Sequence, residues 1–173
     1  MALFGRRLRP PAELRSLLGH GERLLAMAED GPAAVAATQL GLWLPAQPGW
    51  RRIDWDQVVK ASWTEDGLYL IEGVRDSTGV VTDRPALTLR LAEPRNLPAV
   101  VKTRVEASIA RWEQVRVPGG TGRIVARRKP GVDGLVWTAR LDTGTPDSVT
   151  ARAALAGYLE RMAKLTAEES FSA

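Results

Sequence analysis

"WRRIDWDQVVKASWTEDGLYLIEGV", Trp50 to Val74, decides the fold. Its apolar residues recur at every second position. Ile53 and Trp55 point one way, Arg52 and Asp54 the other, because successive strand side chains alternate across the pleat. Val59, Ala61 and Trp63 then share a face, Glu65-Asp66-Gly67 is a hairpin signal, and Leu68–Val74 pairs back from it. Two short strands around a tight turn are expected, and a helix across 58–75 would overturn this reading.

Upstream, "ERLLAMAED", "AAVAAT" and "LGLWLP" read as further strands separated by few residues, with "EDGP" at 29–32 as the first turn. Before them, Pro10 and Pro11 begin a short helix whose Leu14, Leu17 and Leu18 share a face, ended by Gly19 and Gly21. Downstream, "ALTLRL" sets Leu87, Leu89 and Leu91 against Thr88 and Arg90.

The period then lengthens. Leu97, Val101, Val105 and Ile109 recur every four residues, flanked by Val100 and Trp112, with Lys102, Arg104, Glu106 and Arg111 outward. Asn96 suits the cap and Pro98 the first turn, so an amphipathic helix over 97–110 is expected. A second β segment follows: "EQVRV" and "GRIVARRK" joined by "PGGTG", then "LVWTARL", where Leu135, Trp137, Ala139 and Leu141 share a face. A final helix is expected from Thr145 as N-cap through Pro146 and Asp147, with Leu155, Tyr158, Leu159, Met162 and Leu165 as its buried stripe.

This pattern predicts an α+β protein: an antiparallel β-barrel or sandwich closed by a helix, with a C-terminal β-hairpin and helix packed on it. The expected divisions are a tail and short helix (1–20), the barrel with its closing helix (21–112), further strands and a helix of the same body (113–165), and a frayed tail (166–173).

Composition bounds the function. The chain has 173 residues, 45% hydrophobic and 25% charged, the balance of a soluble globular protein. It has no cysteine, which excludes disulfides, thiol catalysis and Cys-ligated metals and fits a cytoplasmic location. Arg far outnumbers Lys, yet the net charge is only +4 because Asp and Glu are interspersed. No run approaches the ~18 apolar residues of a membrane span. Arg6, Arg7 and Arg9 precede no hydrophobic signal core and offer only marginal attraction to an anionic membrane surface.

"AVAATQLGLWLP" leading into "WRRIDWDQVVKASW" and "GLYLIE" resembles bacterial pleckstrin-homology-like domains. "PGGTGRIVARRKPGVDGLVWTARLDTGT" is similar to a segment of uncharacterised actinobacterial proteins of that kind. The resemblance covers roughly residues 21–165. It implies a small barrel used for docking peptides, proteins or lipids. The basic loop between the first two strands that serves inositol lipids is replaced here by the acidic "AEDGP", which disfavours that ligand.

The alternation assigns Trp55, Trp63 and Trp137 to the core. Trp43 is ambiguous, because Leu42 and Leu44 take the opposite face. Trp50 follows the loop "AQPG" and precedes Arg51 and Arg52, so an exposed aromatic anchor beside two guanidiniums is a candidate partner site. In "RIVARRK", Arg123 and Arg127 share a face with Val125. They form either a solvated outer face or an anion-binding patch. Nucleic acid is disfavoured, since no aromatic interleaves with these arginines in sequence.

Catalytic signatures are missing. His20 is the sole histidine and lies between two glycines. There is no "GxSxG" elbow, and "PGGTGR" lacks the Lys–Ser/Thr ending of a phosphate-binding loop. Asp54 and Asp56 are too few for a metal and have Arg51 and Arg52 nearby. The expectation is a non-catalytic binding or scaffold protein with no cofactor and no metal, docking a protein partner with an acidic surface. The alternative is a small enzyme whose carboxylates are brought together by the fold. A deep pocket of perturbed titratable groups would favour the enzyme. A shallow groove or sheet edge with an apolar patch would favour binding.

Overall fold

The computed structural model describes residues 9–28, 34–91 and 93–171. Arg6, Arg7, the expected turn at 29–32 and residues 172–173 of the expected tail lie outside the described residues. The described residues are α+β, with three antiparallel sheets and a C-terminal helix. Among the described residues no closed barrel is found. Two compact units are present: the chain up to Ile71 with Ala86–Glu106, and Glu72–Pro85 with the chain from Ala107 onward.

The first unit begins with helix α1 (Ala12–Leu17). Strands β1 (Leu24–Ala28), β2 (Val35–Thr38), β3 (Gly41–Pro45) and β4 (Trp50–Asp54) then form an antiparallel sheet in chain order. The β2–β3 turn is tied by the Thr38 hydroxyl, which accepts from the Leu40 and Gly41 amides at 3.2 Å each. Register pairs Leu42 with Ile53 and Trp43 with Arg52, so alternation gives the sheet two apolar faces. One carries Ala26, Val35, Leu42, Leu44 and Ile53 into the main core. The other carries Met27, Ala36 and Trp43 into a smaller cluster with Leu14 of α1. Leu18 joins that cluster, but Leu17 is exposed.

Strand character stops at Asp54. Trp55–Gln57 is a single 3-10 turn, tightened because the Gln57 side chain accepts from the Asp54 amide at 3.2 Å. Trp55 still reaches the main core, and its indole N–H donates to the Thr38 carbonyl at 3.0 Å. Strand β5 (Val58–Thr64) follows, then the expected hairpin at 65–66 and β6 (Gly67–Arg75). Leu68–Leu70 of β6 pairs with β8 (Leu87–Leu89). Helix α2 (Leu97–Ser108) packs Leu97 and Val101 onto the same core.

In the second unit, Gly73–Arg75 of β6 pairs with β7 (Val81–Asp83). The main sheet there is β11-β10-β9, from β9 (Ile109–Val117), β10 (Gly120–Arg127) and β11 (Val136–Leu141). The expected helical residues Ile109 and Trp112 are therefore strand residues. The hairpin ladder extends back through Trp112↔Val125 to Ile109↔Arg127, and the Arg128 amide donates to the Ser108 carbonyl at 2.7 Å. Those inter-strand bonds outweigh continuation of a helical stripe. The turn is the two-residue Pro118-Gly119, with Gly119 at φ 83°, a conformation open to glycine at little steric cost.

Helix α3 (Val149–Phe171) covers one face of this sheet. Ala151, Leu155 and Leu159 are buried against Val115, Ile124 and Ala139. Gly122 lets it approach: a Cβ there would meet Leu155 Cδ2 at 2.7 Å and the Arg140 carbonyl at 2.9 Å. The helix starts later than Thr145. Ser148 caps it by accepting from the Ala151 amide at 3.2 Å. The Thr145 hydroxyl instead donates to the Thr121 carbonyl at 2.8 Å and accepts from the Thr121 amide at 3.0 Å. Leu165, expected in the buried stripe, is exposed.

Candidate binding surfaces

The trio Trp50, Arg51 and Arg52 lies on one strand, and alternation divides it between the sheet's two faces. Trp50 is half-buried against the α1 cluster. Arg52 sits over the Trp43 ring, 5.7 Å from its centroid, and its Nε donates to Asp54 at 2.8 Å. Its Nη1 donates to Glu22 at 3.3 Å. Arg51 falls on the opposite face, in register with Leu44. Thus Trp50 and Arg52 share a face with internal partners, and the fold does not bring Arg51 to them.

Glu22 organises that face. Its buried carboxylate accepts from the Thr38 hydroxyl at 2.7 Å, the Trp43 indole N–H at 2.9 Å and the Gly19 amide at 3.0 Å. Burial alone would raise its pKa. The hydrogen bonds from Thr38, Trp43 and Gly19, with the Arg52 charge, outweigh that and hold it below the usual carboxylate value.

The β10 arginines also separate. Arg127 is buried, with its Nη1 donating to the Ser108 hydroxyl at 2.9 Å. Arg123 stays at the surface, its guanidinium 4.6 Å from the centroid of the Trp112 ring and 3.7 Å from Asp142. Trp112 is 58% exposed. The sequence reading missed it as a surface aromatic. The signal was present in the two-residue turn Pro118-Gly119. Counting back from Val117↔Gly120 places Trp112 opposite Val125, beside Arg123. An aromatic distant in sequence thus adjoins Arg123.

The first unit holds an open groove of about 450 Å³ between the end of β5 and α2. Ala61 and Trp63 line it from the strand, with Leu68 behind them; Pro98, Val101 and Lys102 line it from the helix. Trp63, expected in the core, is 36% exposed. It sits next to the hairpin at the strand's end, where its ring lines the groove instead of filling the interior. Lys102 and Glu106 form an exposed pair at 3.9 Å on the helical wall. Among the described residues, β5 ends its sheet, pairing with β6 alone.

A second, more polar cleft of about 220 Å³ lies in the second unit, lined by Asp83, Asp142, Asp147, Arg140 and Arg152 with Thr143–Thr145. Its carboxylates are committed. Asp147 accepts from Arg152 at 2.6 and 3.0 Å, and Asp83 from Arg140 at 2.9 Å. The hydrogen bond from Arg152 lowers the Asp147 pKa, and those from Gln114 and Thr121 lower that of Asp142 against its partial burial. Neither supplies a protonated acid at neutral pH. Asp54 is held by Arg52, while Asp56 keeps one buried oxygen without a hydrogen bond among the described residues. His20 is exposed. No helix among the described residues is long and apolar enough to cross a membrane.

Against protein-family models, curated proteins and solved structures, the chain has no match.

Proposed function

We propose that this chain is a non-catalytic, cytoplasmic protein-binding module of the pleckstrin-homology-like kind, which takes a partner's apolar side chain flanked by carboxylates into the β5–α2 groove. The observation that carries this reading is the groove itself: an open apolar trough beside a sheet-end strand, with Trp63 partly exposed along it. Exposed Trp in a partly desolvated trough is the side chain best suited to anchor a partner. Lys102 on the wall, loosely paired with Glu106 at 3.9 Å, offers a cation to an acidic partner. Supporting the fold type is the first unit's order of a four-stranded sheet, then β5, β6 and β8, then a helix on the core. Supporting a non-catalytic role are the Arg-pinned carboxylates of the polar cleft.

The test is an array of peptides, each with one aromatic or branched apolar residue between glutamates, probed with wild-type protein, Trp63→Ser and Lys102→Glu. Lys102 is highly exposed, so Lys102→Glu leaves folding intact. At least one peptide should lose about tenfold in affinity with each variant. Should no peptide's binding depend on Trp63 or Lys102, the groove is not the site.

A further inference from the structure

We infer that the face of β9–β10 bearing Trp112 and Arg123 is a second docking surface, fitted to an acidic protein segment. It belongs to the second unit and stands on observations independent of the groove.

Three features carry it. Trp112 is the most exposed tryptophan, at 58%, and its indole N–H has no hydrogen-bond acceptor among the described residues. Arg123 lies over that ring at 4.6 Å. Its one ionic neighbour among the described residues, Asp142, presents Oδ1 at 3.7 Å, beyond hydrogen-bond length, while Gln114 and Thr121 both donate to the other oxygen, Oδ2, at 2.9 Å each. The guanidinium N–H groups of Arg123 donate to no acceptor among the described residues, whereas those of Arg127, Arg140 and Arg152 do. Third, register puts Gln114 opposite Arg123 and Arg116 opposite Thr121, so Arg116 shares the face as a diagonal neighbour of Arg123. Arg116 is exposed and has no ionic partner among the described residues.

The face thus presents two guanidiniums and an indole with donors to spare. A carboxylate matches the guanidinium fork, while an apolar side chain beside it covers the indole. A single strand of nucleic acid fits less well. It needs successive aromatic platforms, and here one ring is offered, with a guanidinium over it.

The probe is a fluorescein-labelled peptide of alternating glutamate and leucine, titrated into the full chain by fluorescence anisotropy. A glutamine-leucine peptide and an oligothymidine run in parallel. The acidic peptide should bind, weaken as salt rises, and lose about tenfold in affinity with Trp112→Ala and with Arg123→Gln. Arg116→Glu, at an exposed site, serves as the charge-reversal variant and should lower affinity likewise. Lys102→Glu in the groove should leave this loss pattern in place. Three results would overturn the inference: acidic and glutamine peptides binding alike, variants binding the acidic peptide as wild type does, or oligothymidine binding more tightly and being the probe the variants lose.

Discussion

The indole N–H of Trp43 donates to the buried carboxylate of Glu22 at 2.9 Å, across 21 residues of chain. The same carboxylate accepts from Thr38 and Gly19, so one acidic group fixes the approach of the α1–β1 segment to β2 and β3. Glu22→Ala strips a buried acceptor from four donors, Thr38, Trp43, Gly19 and Arg52, and leaving a buried donor such as the Thr38 hydroxyl or the Trp43 indole unmet costs about 1–3 kcal/mol. Urea unfolding should show a loss of at least about 2 kcal/mol. A loss within about 0.5 kcal/mol, the range of ordinary surface changes, would mean the network contributes nothing to stability.

Acid should destabilise the chain in a defined window. Glu22, Asp76 and Asp142 are all held below their ordinary values of 4.5, 3.8 and 3.8. For Asp76 the largest cause is the Thr78 hydroxyl, which donates to it at 2.6 Å. The folded chain binds these protons more weakly than the unfolded chain. Their stabilisation is complete above the ordinary values and is lost as pH falls through the lower folded ones. Urea midpoints should be level between about pH 7 and pH 5 and then decline below about pH 4.5. Glu22→Gln should flatten part of that decline; an identical acid slope in this variant would refute the assignment.

Trp55→Ala should cost about 3–5 kcal/mol, since the ring is buried in the main core and its N–H is satisfied there. Trp50→Ala should cost less, about 1–2 kcal/mol, because that residue is only partly buried against the Leu14 cluster. Denaturant melts that reverse this ranking would contradict the burial pattern.

Gly122→Ala tests the seat of α3. The added methyl meets both a Leu155 methyl and a backbone carbonyl, and the carbonyl cannot yield. Overpacking of this kind costs about 1–3 kcal/mol. Gly131→Ala is the control: it has positive φ but open space around the added atom, so it isolates backbone strain from collision. Gly122 is not among the positive-φ glycines, so any loss there is collision, and a change within about 0.5 kcal/mol in Gly122→Ala would show that Gly122 is not a packing requirement.

Much of the fold was legible because short-range physics wrote it. Alternation from Trp50 to Asp54 and the turn at 65–66 each depend on neighbours in sequence. The end of α2 was not, since Ile109 and Trp112 satisfy a helical stripe and a strand ladder equally well. The pairing Ile109↔Arg127 decides between them. Thr145 and Ser148 are both competent caps, and only the bonds between Thr145 and Thr121 remove the first. The candidate sites were harder still. Trp63 obeys the alternation, yet it is 36% exposed and lines the groove beside α2. Arg127 and Arg123 obey the same alternation, yet Ser108 receives one while the other remains at the surface.

The most direct test of the groove is a two-dimensional NMR titration of the full chain with the tightest peptide from the glutamate-flanked array. The account predicts shifts at the Trp63 indole N–H and at the amides of Ala61, Ser62, Ala99, Val101, Lys102 and Glu106, the lining of the groove. Shifts that spare Trp63 and the α2 wall would contradict it.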